Sequence, residues 1–147
     1  MNNLKLIGDK ELKNLLSELP KRVASKGNKA AVTAGAKPIL KSAKAKAPKE
    51  SGTLRKAMGT KIRTYRSDAG TIAVAVIGAR RDVTGDYRGK RRVPANYIHL
   101  VDKGTKHAKA DPFLDEAYEQ QKGAAKSAMS AKLSEVIQKE ADKLGKG

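Results

Sequence analysis

Between Lys21 and Ala47 eight of the twelve apolar residues are alanine, and this decides what the chain can pack against. Val23, Ala24, Ala30, Ala31, Ala34, Ile39, Leu40, Ala43 and Ala47 recur at helical spacing, with lysines over much of the rest. The pattern predicts one helix over 21–47, about 40 Å long. Gly27, Gly35 and Pro38 lie inside it. Pro38 has no N–H to donate and should kink the helix near Ala34 to Lys37. Pro48 bounds it. A narrow alanine face lets a sheet or a second helix approach closely. The chain has one Phe, no Trp and four Tyr, so Leu, Ile, Val and Ala must supply a lean core.

The other segments fill in an α+β order. Leu12, Leu15, Leu16 and Leu19 line one face of a short helix over 9–19, capped by Asp9 and ended by Pro20. Lys61–Tyr65 alternates and Thr71–Gly78 is rich in β-branched residues, with Ser67, Asp68, Ala69 and Gly70 between them, so they read as an antiparallel hairpin. Ile72, Val74 and Val76 share one face; Ala73, Ala75 and Ile77 share the other. Both faces are apolar, which predicts a central strand covered on both sides. Residues 79–95 read as a flexible basic loop, followed by a short strand at Tyr97–Val101 and a turn at Lys103–Lys106. Asp111 and Pro112 open a last helix whose face begins with Phe113, Leu114, Ala117 and Tyr118, continues through Leu133, Val136, Ile137 and Leu144, and is open to a break near Gly123. The expectation is a single α+β domain over 1–147: a small antiparallel sheet packed with a long kinked helix in the N-terminal half and a C-terminal helix, frayed over 140–147.

The formal charge is +17 and is unevenly spread. Residues 21–63 hold thirteen basic side chains against Glu50 alone, and residues 79–110 hold nine against three acids. The flanking segments are close to balanced, so two blocks carry the excess and favour an anionic partner. Such a chain contacts DNA non-specifically at low salt. Specific reading would want Arg, Asn or Gln on a groove-entering helix, and single-strand binding would want aromatics on a basic sheet; neither pattern occurs.

The residue types also bound the chemistry. Without cysteine there is no disulfide, thiol catalysis or Cys-based zinc site. His99 and His107 lack the acids that would complete a metal set, and no Ser–His–acid grouping stands out. Lys103-Gly104-Thr105-Lys106 lacks the spacing of a phosphate loop. No catalytic, metal or cofactor residues are assigned. No apolar run has the length of a membrane span and none resembles a signal peptide, so a soluble protein made in a cytoplasm, with no membrane partner, is expected.

Three stretches, in order, resemble one family. Ala45 to Lys56 contains Ala47-Pro48, Ser51-Gly52 and Leu54-Arg55 after a long Ala/Lys helix. Tyr97 to Thr105 is similar to an aromatic strand ending in an acid, here Asp102, then Gly104-Thr105. Ala110-Asp111-Pro112-Phe113-Leu114 with Ala117 resembles a Pro-Phe-Leu-x-x-Ala helix start. Together they resemble the neck and tail-completion (head-tail joining) proteins of long-tailed bacteriophages, relatives of the lambdoid-phage gene-ten tail component, over roughly residues 9–120. The resemblance implies a non-enzymatic virion protein at the head–tail joint. It implies a homo-oligomeric ring, expected as a hexamer, around the DNA channel, with head-closure, tail-terminator or tail proteins as neighbours.

Pro48, Gly52, Leu54, Gly104, Thr105, Pro112, Phe113 and Leu114 are the expected structural-motif residues. Arg80, Arg81, Arg88, Lys90, Arg91 and Arg92 are the candidate contacts to partner or DNA, on a loop expected to order during assembly. The alternative is a basic, non-sequence-specific nucleic-acid-binding protein, which has no reason to carry the three motifs.

Overall fold

A computed structural model describes residues 21–49, 52–67 and 70–145. The helix expected over 9–19, with its cap at Asp9, lies outside the described residues. The elements are α1 (Lys21–Lys46), α2 (Thr53–Ala57), β1 (Met58–Ser67), β2 (Gly70–Ala79), β3 (Gly85–Tyr87), β4 (Lys90–Arg92), α3 (Pro94–Lys103) and α4 (Phe113–Gly145). The fold is α+β.

α1 and α4 form the spine. Ala31, Ala36, Ala43 and Ala47 are buried along one side of the first helix and just beyond its end. Its small side chains let α4 come close: a Cβ added at Gly35 would run into the Met129 side chain. Gly27 faces Leu133 and Val136, while Ala43 and Ala47 share a cluster with Phe113 and Ala117, so the two helices run antiparallel. α1 continues through Pro38. α4 runs unbroken for 33 residues through Gly123, where the sequence suggested a break. One exposed glycine costs a helix only about 1 kcal/mol, and packing along α1 outweighs that. Ion pairs one turn apart line the outer side of α4: Glu119 with Lys122, Glu135 with Lys132 and Lys139, and Glu140 with Lys143.

β1 and β2 form a two-stranded antiparallel sheet in register from Met58↔Ala79 to Ser67↔Gly70. α1 packs against it, and Asn28 Nδ2 donates to the Thr71 carbonyl at 2.9 Å. Here the expectation of a strand covered on both faces fails. Ile72, Val74 and Val76 are 53%, 39% and 49% exposed, and Tyr65 opposite Ile72 is also open. A strand with two apolar faces is ordinarily central, but among the described residues no element covers the second face.

The core sits at the base of the hairpin. Ala43, Ala47, Leu54, Met58, Phe113 and Ala117 form its buried centre, and Leu40, Ile77, Ile98, Val101 and Leu114 pack around it. Phe113, 1% exposed, supplies the largest buried side chain. The Tyr97–Val101 stretch, expected as a strand, is helical within α3. Its residues are mostly apolar, so they satisfy a period of two or of 3.6 equally well. Pro94 at the helix start and the packing of Ile98 and Val101, three residues apart, select the helix. Residues 79–95, expected as a flexible basic loop, contain the β3–β4 hairpin. Its register runs from Gly85↔Arg92 to Tyr87↔Lys90, closed by Arg88 and Gly89 with φ of 52° and 74°. Two positive φ values in succession are the signature of a primed hairpin turn.

Candidate functional site

The described residues present two candidate surfaces and one structural junction. The junction joins α3 to α4 and contains the second and third sequence motifs. Asp102, at the end of α3, is only 4% exposed. Its Oδ1 accepts the Leu114 backbone N–H at 3.3 Å, and its Oδ2 lies 3.1 Å from Lys103 Nζ. The first turn of a helix has N–H groups with no partner inside the helix. Asp102 satisfies one of them from another helix and sets a negative charge at the positive end of the α4 dipole. Asp111, the expected N-cap, contributes backbone instead: its N–H donates to the Val101 carbonyl at 2.9 Å, and its carbonyl accepts from Phe113 at 2.8 Å. Lys103 also reaches Asp115 at 2.8 Å, and its hydrogen bonds to Asp115 and then Asp102 raise its pKa.

Gly104 makes the junction sterically possible. Its φ is +75° with ψ of 175°, and a Cβ there would lie 2.7 Å from the Ala110 nitrogen. Thr105 then closes the turn: its hydroxyl accepts from the His107 and Ala108 N–H groups at 3.2 and 3.1 Å. Pro112 precedes α4, and its carbonyl accepts from Glu116 at 3.0 Å. Gly52 sits before α2 at φ +69° with open space around it, so backbone conformation rather than crowding favours glycine there. Leu54 is buried in the core, and Pro48 lines a cleft of about 90 Å³ with Leu54, Tyr87, Arg92, Tyr97 and Val101.

The first surface is the basic hairpin. Arg88 and Arg92 each place their guanidinium 5.3 Å from the centre of the Tyr87 ring. An arginine over an aromatic face is held by cation–π attraction and stays available to an anion. Lys90 and Arg91 are exposed. Arg80 and Arg81 precede the hairpin and are exposed as well; Arg80 lies 3.9 Å from Asp82. The structure thus gathers Arg88, Lys90, Arg91 and Arg92 on one short hairpin, with Arg80 and Arg81 in the segment leading to it. Burial raises the Tyr97 phenol pKa, and nearby Arg92 partly offsets this.

The second surface is the open face of β1–β2. Ile72, Val74 and Val76 form an apolar row with Tyr65, and the exposed Arg63 and Lys61 stand opposite Val74 and Val76. Sequence reasoning missed it, because alternation says which residues share a face and not whether anything covers them. The sequence marks Asp102 as part of a motif but not as a cap, because a cap supplied across twelve residues leaves no local spacing signal. Arg55 buries its Nε without a hydrogen-bond partner among the described residues, which nothing in the sequence marks.

An apolar sheet face beside a basic rim and a basic hairpin are features of proteins that meet other macromolecules. In sequence, a family profile described as "Bacteriophage HK97-gp10, putative tail-component" matches residues 10–104. The chain belongs to this family of phage tail components. The match includes the Ala-Pro/Ser-Gly motif and Asp102 through Gly104; Thr105 and the Pro-Phe-Leu start of α4 lie beyond it. Among curated proteins and solved structures there is no significant match to the chain. No described helix is long and apolar enough to cross a membrane.

Proposed function

We propose that this tail component is a non-enzymatic neck or tail-completion protein of the virion. It acts at the head–tail joint as a ring of identical subunits and works by docking. The family match over residues 10–104 carries the reading. Two unlike surfaces support it: an apolar sheet face and a basic hairpin are the kind of non-identical patches a cyclic ring requires.

The hairpin cations meet acidic neighbours or the phosphates of DNA in the channel. They speed docking and fix register more than they add affinity. Because Tyr87 and Arg92 line the cleft against Tyr97 and Val101, deleting the hairpin would also disturb the fold. Replacing the exposed Arg88, Lys90 and Arg91 with Ser tests the role more cleanly.

The direct test is native mass at moderate salt, alone and with duplex DNA. A ring mass that is insensitive to DNA above about 200 mM salt, where non-specific phosphate contacts have weakened, is the expected result. Saturable DNA binding that persists there would favour the nucleic-acid-binding alternative.

A further inference from the structure

A groove of about 860 Å³ opens between β2 and α4. Val32, Ala36 and Ile39 of α1 floor it, Ala75 and Ile77 of β2 form one wall, and Leu114, Tyr118 and Met129 of α4 form the other. It lies along a free sheet edge, since β2 pairs only with β1 among the described residues. Thr71 turns its carbonyl out of the ladder to Asn28. Backbone groups alternate along an antiparallel strand, so Ala73, Ala75 and Ile77 aim their N–H and C=O toward this groove. A ten-residue unpaired edge beside apolar surface is a template for strand addition.

We propose that the groove takes strand β1 of a second copy, so that neighbouring subunits share one continuous antiparallel sheet. The inference rests on the ring reading above. Three observations select a second copy as occupant. β1 also has an unpaired outer edge among the described residues, and it matches β2 in length. The two edges differ, which gives the head-to-tail contact a closed ring needs. Around a rotation axis every hairpin keeps one orientation, so β2 of one copy meets β1 of the next antiparallel, as within the hairpin. The chemistry also fits. Thr60, Ile62 and Thr64 of the incoming strand would face the groove beside Ala73, Ala75 and Ile77, while Lys61 and Arg63 stay on the open face.

The absence of cysteine from the chain gives a clean test. Lys61→Cys and Arg63→Cys mark β1; Ile72→Cys, Val74→Cys and Val76→Cys mark β2. Each protein carries one cysteine, so no intramolecular disulfide can form. Mixing a β1-marked with a β2-marked protein under mild oxidation should give disulfide dimers between unlike partners for at least one pair. Neither protein alone should give them. Ala75→Pro removes an N–H at the open edge, where proline is tolerated, and should reduce the native mass to that of a monomer with circular dichroism unchanged. If the wild type is a ring but no mixed pair cross-links, the shared sheet is overturned and the ring survives. A wild type that stays monomeric overturns both. Should Ala75→Pro fail to fold, the cysteine mixtures decide alone.

Discussion

Asp102→Ala isolates the bond that joins α3 to α4. In the native chain the Asp102 carboxylate, nearly inaccessible to solvent, accepts the Leu114 N–H at 3.3 Å. Removing a capping side chain costs about 1 kcal/mol, within a range of about 0.5–2. Leaving the partly buried N–H unsatisfied is the same loss counted from the other side, at about 1–3 kcal/mol, so the two are not added. Losing the charge at the helix N-terminus adds about 0.3–1 kcal/mol. The contact with Lys103 adds little, because that side chain is 66% exposed and keeps Asp115. The sum is about 2 kcal/mol. At roughly 2–4 °C per kcal/mol for a chain near this size, Tm should fall by about 4–8 °C in thermal melts followed by circular dichroism. Asp102→Asn retains an oxygen acceptor and should lose about half as much. Hydrogen exchange at Leu114 should speed up more in the Ala variant than in the Asn variant. A loss below about 0.5 kcal/mol for Asp102→Ala, the typical range of inert surface changes, would refute the capping role.

Three further expectations follow from the same geometry. Phe113→Ala should destabilise by about 3–5 kcal/mol, the usual cost of emptying an aromatic site in a core; a urea titration showing under 1 kcal/mol would mean the site collapses or is not core. Gly104→Ala should be worse than Gly52→Ala in the same assay. Both residues have positive φ, but only at Gly104 does a Cβ also meet backbone, so equal losses would contradict the packing account. The Glu135 carboxyl, hydrogen-bonded by Lys139 and Lys132, should titrate at about 2 by NMR. Its pKa is lowered in the folded state, so its stabilising contribution is present above the ordinary carboxylate pKa and lost as pH falls toward 2. A midpoint near the ordinary value of about 4.3 would show that those ion pairs are not formed in solution.

The long helices and the hairpin were legible because their signals are periodic. The alanine face of α1, the Leu133–Val136–Ile137 continuation of α4, and the alternation in Lys61–Tyr65 before the β-branched run Thr71–Gly78 each specify an element before any partner is known. What escaped depended on the partner. Tyr97–Val101 fits two periods, and the contacts of Ile98 and Val101 with the core decide between them. β3 and β4 are three residues each, too short for a pattern to emerge, and their turn uses Arg88 where glycine or asparagine is usual. The exposure of Ile72, Val74 and Val76 depends on what lies above the sheet, which strand sequence does not encode. The motif residues were recognised by resemblance before their physics was visible. Gly104 is needed because Ala110 is there, and the acid two residues before it caps a helix twelve residues on.

The measurement closest to the central claim is a joining assay. Phage grown without this chain should yield filled heads and finished tails that remain separate, and adding the purified protein should restore infectious particles. The Arg88, Lys90 and Arg91 to Ser variant should restore far fewer at equal concentration, with an unchanged melting curve. If the deficient phage instead makes joined, infectious particles unaided, the protein is not a head–tail joint component.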